Sequence, residues 1–364
     1  MNTLSKINKS LHEKRPHTPS DKKLTLWRPA DDFLHCCIES RGCRFSRDCG
    51  ACIMCDYGIG VNLNPDELKE TLERDLSPYA GPLTRLLVGS YGSLFDTSEI
   101  SSDCLEMLLD YLSRQEIKTI ILETHCSTVK ENILRKVRDK LLPDHNVIIE
   151  MGFESSDSFV LRECLNKVLD LHQLSTAIDL IHDFSMEASL NVFLGTPFMN
   201  TRAQLDTALH SIEWAFMQGA DSVVIFPCNI KPFTVVYEMY RNGLYKRISQ
   251  WLLIELLSRI PEQYLQNISL SWYGDRKNFY ENDEFPLIPP EDCEQCHAKL
   301  FDFYEKFIQA KSARTRKILI DTLISSIDCK CHARVKDELK QPAEMLTKEE
   351  ICCLAEKLEK HVKL

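Results

Sequence analysis

Short, nearly unbroken apolar runs recur along residues 33–226, and each is followed by a stretch with helical spacing. The runs Phe33–Ile38, Arg85–Gly89, Lys118–Glu123, Asn146–Glu150, Leu190–Leu194 and Asp221–Phe226 predict six strands. Continuous rather than alternating runs imply burial on both faces, as in a parallel sheet with helical crossovers. The intervening pattern predicts a helix over Pro65–Arg74 with Asn64 as its N-cap. Further helices are expected from Ser101 or Ser102 to about Ser113, from Thr128 to Lys140, in the residues leading up to Glu187, and from Arg202 to Gln218. Six such units predict a barrel or a partial barrel, with the strand ends and their loops converging on one face. Glu123, Glu150, Glu154 and Asn229 fall at those ends. Each alone reads as a solvated loop residue, and only the shared location marks them as candidates.

Beyond Phe226 the pattern weakens. Thr234–Asn242 and Leu244–Ser258 read as helices, and Ile268–Trp272 as a strand. The pair Pro289-Pro290 marks a boundary. Helices follow from Lys299 to Ser312, Lys317 to Ile327 and Thr347 to Val362. The expected organisation is a basic N-terminal extension (1–30), a barrel (31–288) and a cysteine-containing helical extension (289–364).

Charge and composition narrow the function. Residues 1–30 carry seven Lys/Arg against two Asp/Glu, and residues 298–364 fourteen against eleven, so the body between them holds the acidic excess behind the net charge of −10. An acidic body with basic ends does not read as an obligate nucleic-acid binder. The run Lys311–Lys317 has four positive charges and reads first as a solvated helix face. The apolar runs fall short of a membrane span, and residues 1–30 lack the apolar stretch of a signal peptide. Sixteen cysteines without such a signal predict a reducing, cytoplasmic setting.

The cysteines are grouped. Cys43, Cys52 and Cys55 follow the first predicted strand with C-x8-C-x2-C spacing, and Cys49 offers the alternative C-x2-C-x2-C. Soft thiolates this close suit an iron–sulfur cluster or zinc. Three ligands would leave one coordination position open for chemistry, whereas a closed site is structural. Cys293 and Cys296 form a second set with Cys329 and Cys331, with His297 and His332 beside its two halves. Two close pairs brought together by a helical hairpin would hold zinc or a second cluster. Cys104, Cys126, Cys164, Cys228, Cys352 and Cys353 read as packing residues.

Taken in order, these segments resemble the radical S-adenosylmethionine (SAM) superfamily. The distant first cysteine is similar to the branch holding the elongator catalytic subunit and the radical SAM subunit of archaeosine synthesis. Tyr91–Asp96 resembles a Gly-Ser-Phe-Leu-Asp segment at the end of strand two, Glu123-Thr124 a strand-three acidic site, and Gly152–Ser155 with Asn166-Lys167 a Gly-x-Glu-Thr…Asn-Lys pattern. Gly195–Phe198 resembles a Lys-Pro-Pro-Phe turn without its lysine, and the tryptophan expected soon after the last C-x-C is absent.

The resemblance implies a partial (β/α)6 barrel with a mostly helical C-terminal extension. It implies a [4Fe–4S] cluster on Cys43, Cys52 and Cys55 whose open iron binds SAM, and an electron that releases a 5′-deoxyadenosyl radical. Gly92 and Ser93 would lie against the methionine part, Glu123 and Glu154 would accept from the ribose or amino group, and Lys167 would reach a carboxylate. A flavodoxin or ferredoxin would supply the electron. The expected substrate is a small molecule or peptide in a biosynthetic pathway. A tRNA base is the alternative, and a non-catalytic zinc-binding interaction protein is the reading outside enzymes.

Overall fold

The computed structural model describes residues 2–15, 24–50, 52–57, 60–79, 83–141, 144–271, 287–326 and 329–362. Among them the elements run α1 (Thr3–Glu13), β1 (Leu24–Ala30), β2 (Phe33–Ile38), α2 (Arg44–Cys49), α3 (Pro65–Asp75), β3 (Arg85–Ser90), α4 (Ser102–Leu112), β4 (Thr119–Thr124), α5 (Glu131–Leu141) and β5 (Asn146–Glu154). Then come α6 (Leu171–Asp183), β6 (Glu187–Leu194), α7 (Thr201–Met217), β7 (Ser222–Pro227), α8 (Val235–Arg241), α9 (Gln250–Arg259), α10 (Glu262–Leu265) and β8 (Ile268–Leu270). Four helices follow: α11 (Glu294–Gln309), α12 (Ala313–Ser326), α13 (Lys330–Glu338) and α14 (Lys348–Val362).

The class is the expected α/β one. The eight strands among the described residues form one sheet in chain order. β1 is antiparallel to β2, β2 to β5 are successively parallel in register, and β8 is parallel to β7. Helices separate the parallel strands, as crossover connections require. No described helix is long and apolar enough to cross a membrane.

The chain divides into two compact units. The first comprises residues 1–152, 168–190 and 218–221, and the second 153–167, 191–217 and 222–364. In the first, β3 is buried along nearly its whole length, as its continuous apolar run requires, whereas β2 and β4 bury alternate residues only. Asn64 caps α3 by accepting from the Glu67 amide at 2.8 Å, and Pro65 occupies the first turn, where its missing N–H costs nothing. Ser101, not Ser102, caps α4. Glu150 is not at a strand end: β5 runs on to Glu154, and Glu150 is buried inside it opposite Glu123.

In the second unit α9 starts at Gln250 rather than Leu244, because Ser249 accepts from the Trp251 amide and caps the helix there. Residues 250–257 are all buried, so α9 is a core helix. Arg316 overturns the expectation of a wholly solvated basic run. It is buried, lies 4.6 Å over the Phe307 ring, and its guanidinium donates to the carbonyls of Leu265 (2.6 Å), Ile268 (2.5 Å) and Ala310 (2.9 Å). Leu265 and Ala310 lie at the C-terminal ends of α10 and α11, where carbonyls lack helical partners, and Ile268 opens β8; the fork of donors meets all three. Cys352 and Cys353 on α14 are exposed, not packed; Ile351, Ala355 and Leu358 form its inward stripe instead. Trp272 and Ile327, the expected ends of a strand and a helix, lie outside the described residues.

Candidate functional site

Cys43, Cys52 and Cys55 are half-buried on a loop after β2. Cys43 caps α2 and its amide donates to the Tyr57 carbonyl at 2.6 Å, which closes the loop. Gly50 ends α2 in the left-handed region at φ +59°, and a Cβ there would stand 2.2 Å from the Ser5 carbonyl oxygen. Cys52 is also left-handed at φ +56°, and its carbonyl accepts from the Cys55 amide at 2.9 Å. Cys49 lies within the last turn of α2 with its thiol donating to Phe45 O at 2.9 Å.

Helix α1, which lies within the basic N-terminal extension, grips this loop. Asn8 Nδ2 donates to the carbonyls of Gly50 (3.4 Å) and Cys52 (3.3 Å). His12 is buried, with Nε2 2.8 Å from Cys55 O and Nδ1 2.6 Å from Ser46 Oγ. A carbonyl can only accept, so Nε2 carries the proton, and in the neutral ring Nδ1 accepts from the serine. Arg15 donates to Asp56 O and pairs with the buried Asp56 carboxylate at 3.6 Å. Leu4, Ile7 and Leu11, buried at helical spacing, were the available signal for α1.

Glu99 is a second residue that sequence reasoning missed. One carboxylate oxygen accepts from the Arg44 amide and the other from the Ser93 amide, each at 2.5 Å. It therefore stitches the start of α2 to the turn after β3. Burial pushes its carboxyl above the usual range, although both amides pull the other way. In that turn a Cβ on Gly92 would stand 1.9 Å from Glu99 Oε2 and 3.1 Å from the Cys43 Cα, so only glycine fits against the cysteine backbone. The Ser93 hydroxyl is committed to the Thr124 (2.6 Å) and Thr128 (3.0 Å) hydroxyls and to the His125 amide (3.2 Å). Through these bonds it holds the turn. The Glu123 side chain lies across β3, where a Cβ on Gly89 would come within 2.4 Å of its Oε2. The Ser90 hydroxyl, at the end of β3, is buried and has no hydrogen-bond partner among the described residues.

In the second unit Glu154 and Lys167 form an ion pair at 3.4 Å, both largely buried. Glu154 sits at φ +71° and Asn166 at φ +53°. Asn229 donates to Pro227 O at 3.0 Å, and its buried Oδ1 has no partner among the described residues.

Also in that unit, the tail cysteines meet. The Sγ–Sγ separations are 3.4 Å for Cys293–Cys296, 3.5 Å for Cys296–Cys331 and 3.5 Å for Cys329–Cys331, and all four sulfurs lie within 4.8 Å of one another. Cys293 and Cys329 cap α11 and α13, which puts Cys296 and Cys331 on the first turns beside them. The two neighbouring histidines are engaged elsewhere. His297 bonds Asp292 at 2.8 Å on the surface, whereas the buried His332 bonds Glu255 at 3.0 Å and stacks on Trp251 at 3.8 Å. The hydrogen bond from Cys331 helps hold the Cys293 thiol down to about 7, while burial raises Cys296 and Cys331.

No family model matches the chain. An uncharacterised protein of Methanocaldococcus jannaschii is 20% identical over 282 residues, covering 71% of this chain and 75% of that protein. Among solved structures, the Elp3 of Methanocaldococcus infernus aligns with a TM-score of 0.46 at 15% identity, over 66% of this chain and 58% of that one. SuiB of Streptococcus suis, bound to S-adenosylmethionine, aligns with a TM-score of 0.48 at 12% identity, over 67% of this chain and 51% of that one. The chain thus spans between half and three fifths of these two solved proteins.

Proposed function

We propose that the chain is a radical SAM enzyme, with a [4Fe–4S] cluster held by Cys43, Cys52 and Cys55. The observation that carries this reading is the Glu99 carboxylate, which fastens the three-cysteine loop to the Gly92–Ser93 turn at the end of a parallel strand. Strand ends with adjacent loops are where α/β sheets bind ligands. The residues suit the group: three half-buried thiols on one loop, a glycine whose Cβ would be excluded, and a buried Ser90 hydroxyl with no partner among the described residues. Once bound, the cluster supplies the electron that opens the SAM sulfonium and releases a carbon radical able to take hydrogen from a substrate.

The chain's own residues bind, orient and exclude water. Gly92 gives the methionine part close access to backbone. Glu123 offers acceptor oxygens to the ribose or amino group, and Ser93 keeps the turn in shape through its hydroxyl. Glu154 and Lys167, paired with each other here, would separate to meet the ligand's amino or hydroxyl group and its carboxylate, respectively. Cys49, whose thiol is donated to Phe45 O, is left out of the cluster.

A small molecule or a peptide is the substrate class we favour, with a flavodoxin or ferredoxin as reductant. Burial of Arg316 removes one of the four charges in the basic run that a tRNA substrate would use. The test is anaerobic reconstitution followed by reduction with SAM present. The expected result is a brown protein with iron and sulfide that yields 5′-deoxyadenosine. A colourless zinc protein that leaves SAM intact would overturn the reading in favour of a zinc-binding interaction protein. Binding to bulk tRNA at two salt concentrations separates the substrate classes, since phosphate contacts weaken steeply with salt.

A further inference from the structure

We propose that Cys293, Cys296, Cys329 and Cys331 hold a single zinc ion as a closed tetrathiolate, and that this centre staples α11 and α13 onto the buried helix α9. The site lies in the second compact unit and does not rest on the radical SAM reading.

Sulfur spacing decides between zinc and a second cluster. Zn–S bonds of about 2.3 Å in a tetrahedron put the sulfurs roughly 3.8 Å apart. The four sulfurs here lie within 4.8 Å of one another, with three contacts at 3.4–3.5 Å. In a [4Fe–4S] cluster each thiolate holds a different iron, so the sulfurs stand apart by the width of the cluster. A [2Fe–2S] cluster would keep each pair close but set the pairs on separate irons. The Cys296–Cys331 contact of 3.5 Å runs between the pairs and excludes that arrangement. All four positions are taken by sulfur, which leaves none for a substrate, so the centre is structural.

Four thiolates around one divalent ion leave a net negative charge that donors must offset. The Cys293 amide donates to Cys296 Sγ and the His332 amide to Cys329 Sγ, each at 3.4 Å. The buried indole N–H of Trp251 makes no full hydrogen bond among the described residues but lies near enough to the Cys296 thiol to favour its thiolate. His332, one residue beyond Cys331, lies flat on that indole and reaches Glu255, so both contacts from the centre end on α9. Such outer contacts fix the orientation of metal ligands. Because the two pairs are more than thirty residues apart in the chain, metal binding and folding of this unit are coupled.

The test uses the full chain carrying Cys43→Ala, Cys52→Ala and Cys55→Ala, so that the proposed cluster is absent. The expected content is one zinc per chain with no iron or acid-labile sulfide. Replacement by cobalt should give the intense visible bands of a tetrahedral thiolate site. Cys296→Ser and Cys331→Ser should each lose that same zinc, and the double variant should lose no more. A strong chelator should lower the unfolding temperature of the triple variant and leave that of Cys296→Ser unchanged. Iron with sulfide in the triple variant, absence of any metal, or a half-equivalent lost from each pair would overturn the proposal.

Discussion

His12 donates from Nε2 to the carbonyl oxygen of Cys55 at 2.8 Å, across 43 positions of sequence. The contact holds the last candidate ligand of the loop, while Nδ1 of the same ring holds Ser46 in the middle of α2. The geometry of the cysteine loop is therefore set partly from outside it. His12→Ala strands a buried hydroxyl, at a cost of about 1–3 kcal/mol, and a half-buried carbonyl that water can partly satisfy. Iron should leave the reconstituted protein faster under a chelator in this variant, with His12→Gln intermediate. Identical release rates for all three would show that the loop holds itself.

Cys43→Ala, Cys52→Ala and Cys55→Ala should each lose the cluster and SAM cleavage, whereas Cys49→Ala should retain both. Cys49 already spends its thiol on the Phe45 carbonyl. Iron analysis of the four variants checks this, and loss of iron from Cys49→Ala with retention in Cys43→Ala would reassign the loop.

Gly92→Ala places a methyl group 1.9 Å from Glu99 Oε2 and 3.1 Å from the backbone of Cys43. Either the carboxylate abandons the Ser93 amide or the loop moves. Glu99→Gln leaves one of two amides facing an NH2 group, which costs about 1–3 kcal/mol. Both variants should show reduced iron uptake and a lower unfolding midpoint in urea. Normal uptake in both would remove Glu99 from the scaffold of the site.

Glu123→Gln and Glu154→Gln should weaken SAM binding by roughly tenfold or more, since a hydrogen bond to an ionised group is worth about 1.5–3 kcal/mol. The cluster spectrum should not change. Glu154 also pairs with Lys167 at 3.4 Å, so the Glu154→Gln, Lys167→Met and double variants form a cycle that separates ligand binding from loss of the pair. Unchanged SAM titrations in both glutamine variants would make the two carboxylates structural.

Arg316→Ala should be among the most destabilising changes in the second unit, because it strands the buried carbonyls of Leu265 and Ile268 and the half-buried one of Ala310. Arg316→Lys should recover little, as one ammonium cannot reproduce the planar fork. Thermal unfolding of the two variants checks this; a melting temperature within a degree of the parent for Arg316→Ala would refute the capping role.

Much of the fold was legible in the sequence where burial writes itself as an apolar run. The strands β2 to β7 and the capped helices α3, α4 and α8 follow from runs and from Asn64, Ser101 and Thr234. Helix α1 was obscured because only three of its buried residues, Leu4, Ile7 and Leu11, are apolar and lysines stand among them and draw attention to charge. Helix α2 has only six residues and no apolar stripe, so no periodicity could disclose it. Glu99 and Arg316 were illegible for a different reason. Each acts on backbone groups far away in sequence, and neither residue's local context differs from that of an ordinary surface charge.

Glu154 occupies a left-handed backbone position, φ +71°, that glycine would fill without strain. A chain selected for stability alone would have little reason to keep a carboxylate there. Glu154→Gly should therefore yield a protein that melts no lower, or even higher, than the parent once the loss of the Lys167 pair is offset, while forfeiting whatever the carboxylate does. Screens that rank variants by thermal tolerance would score this position as improvable, and would favour a substitution that harms the reaction proposed here.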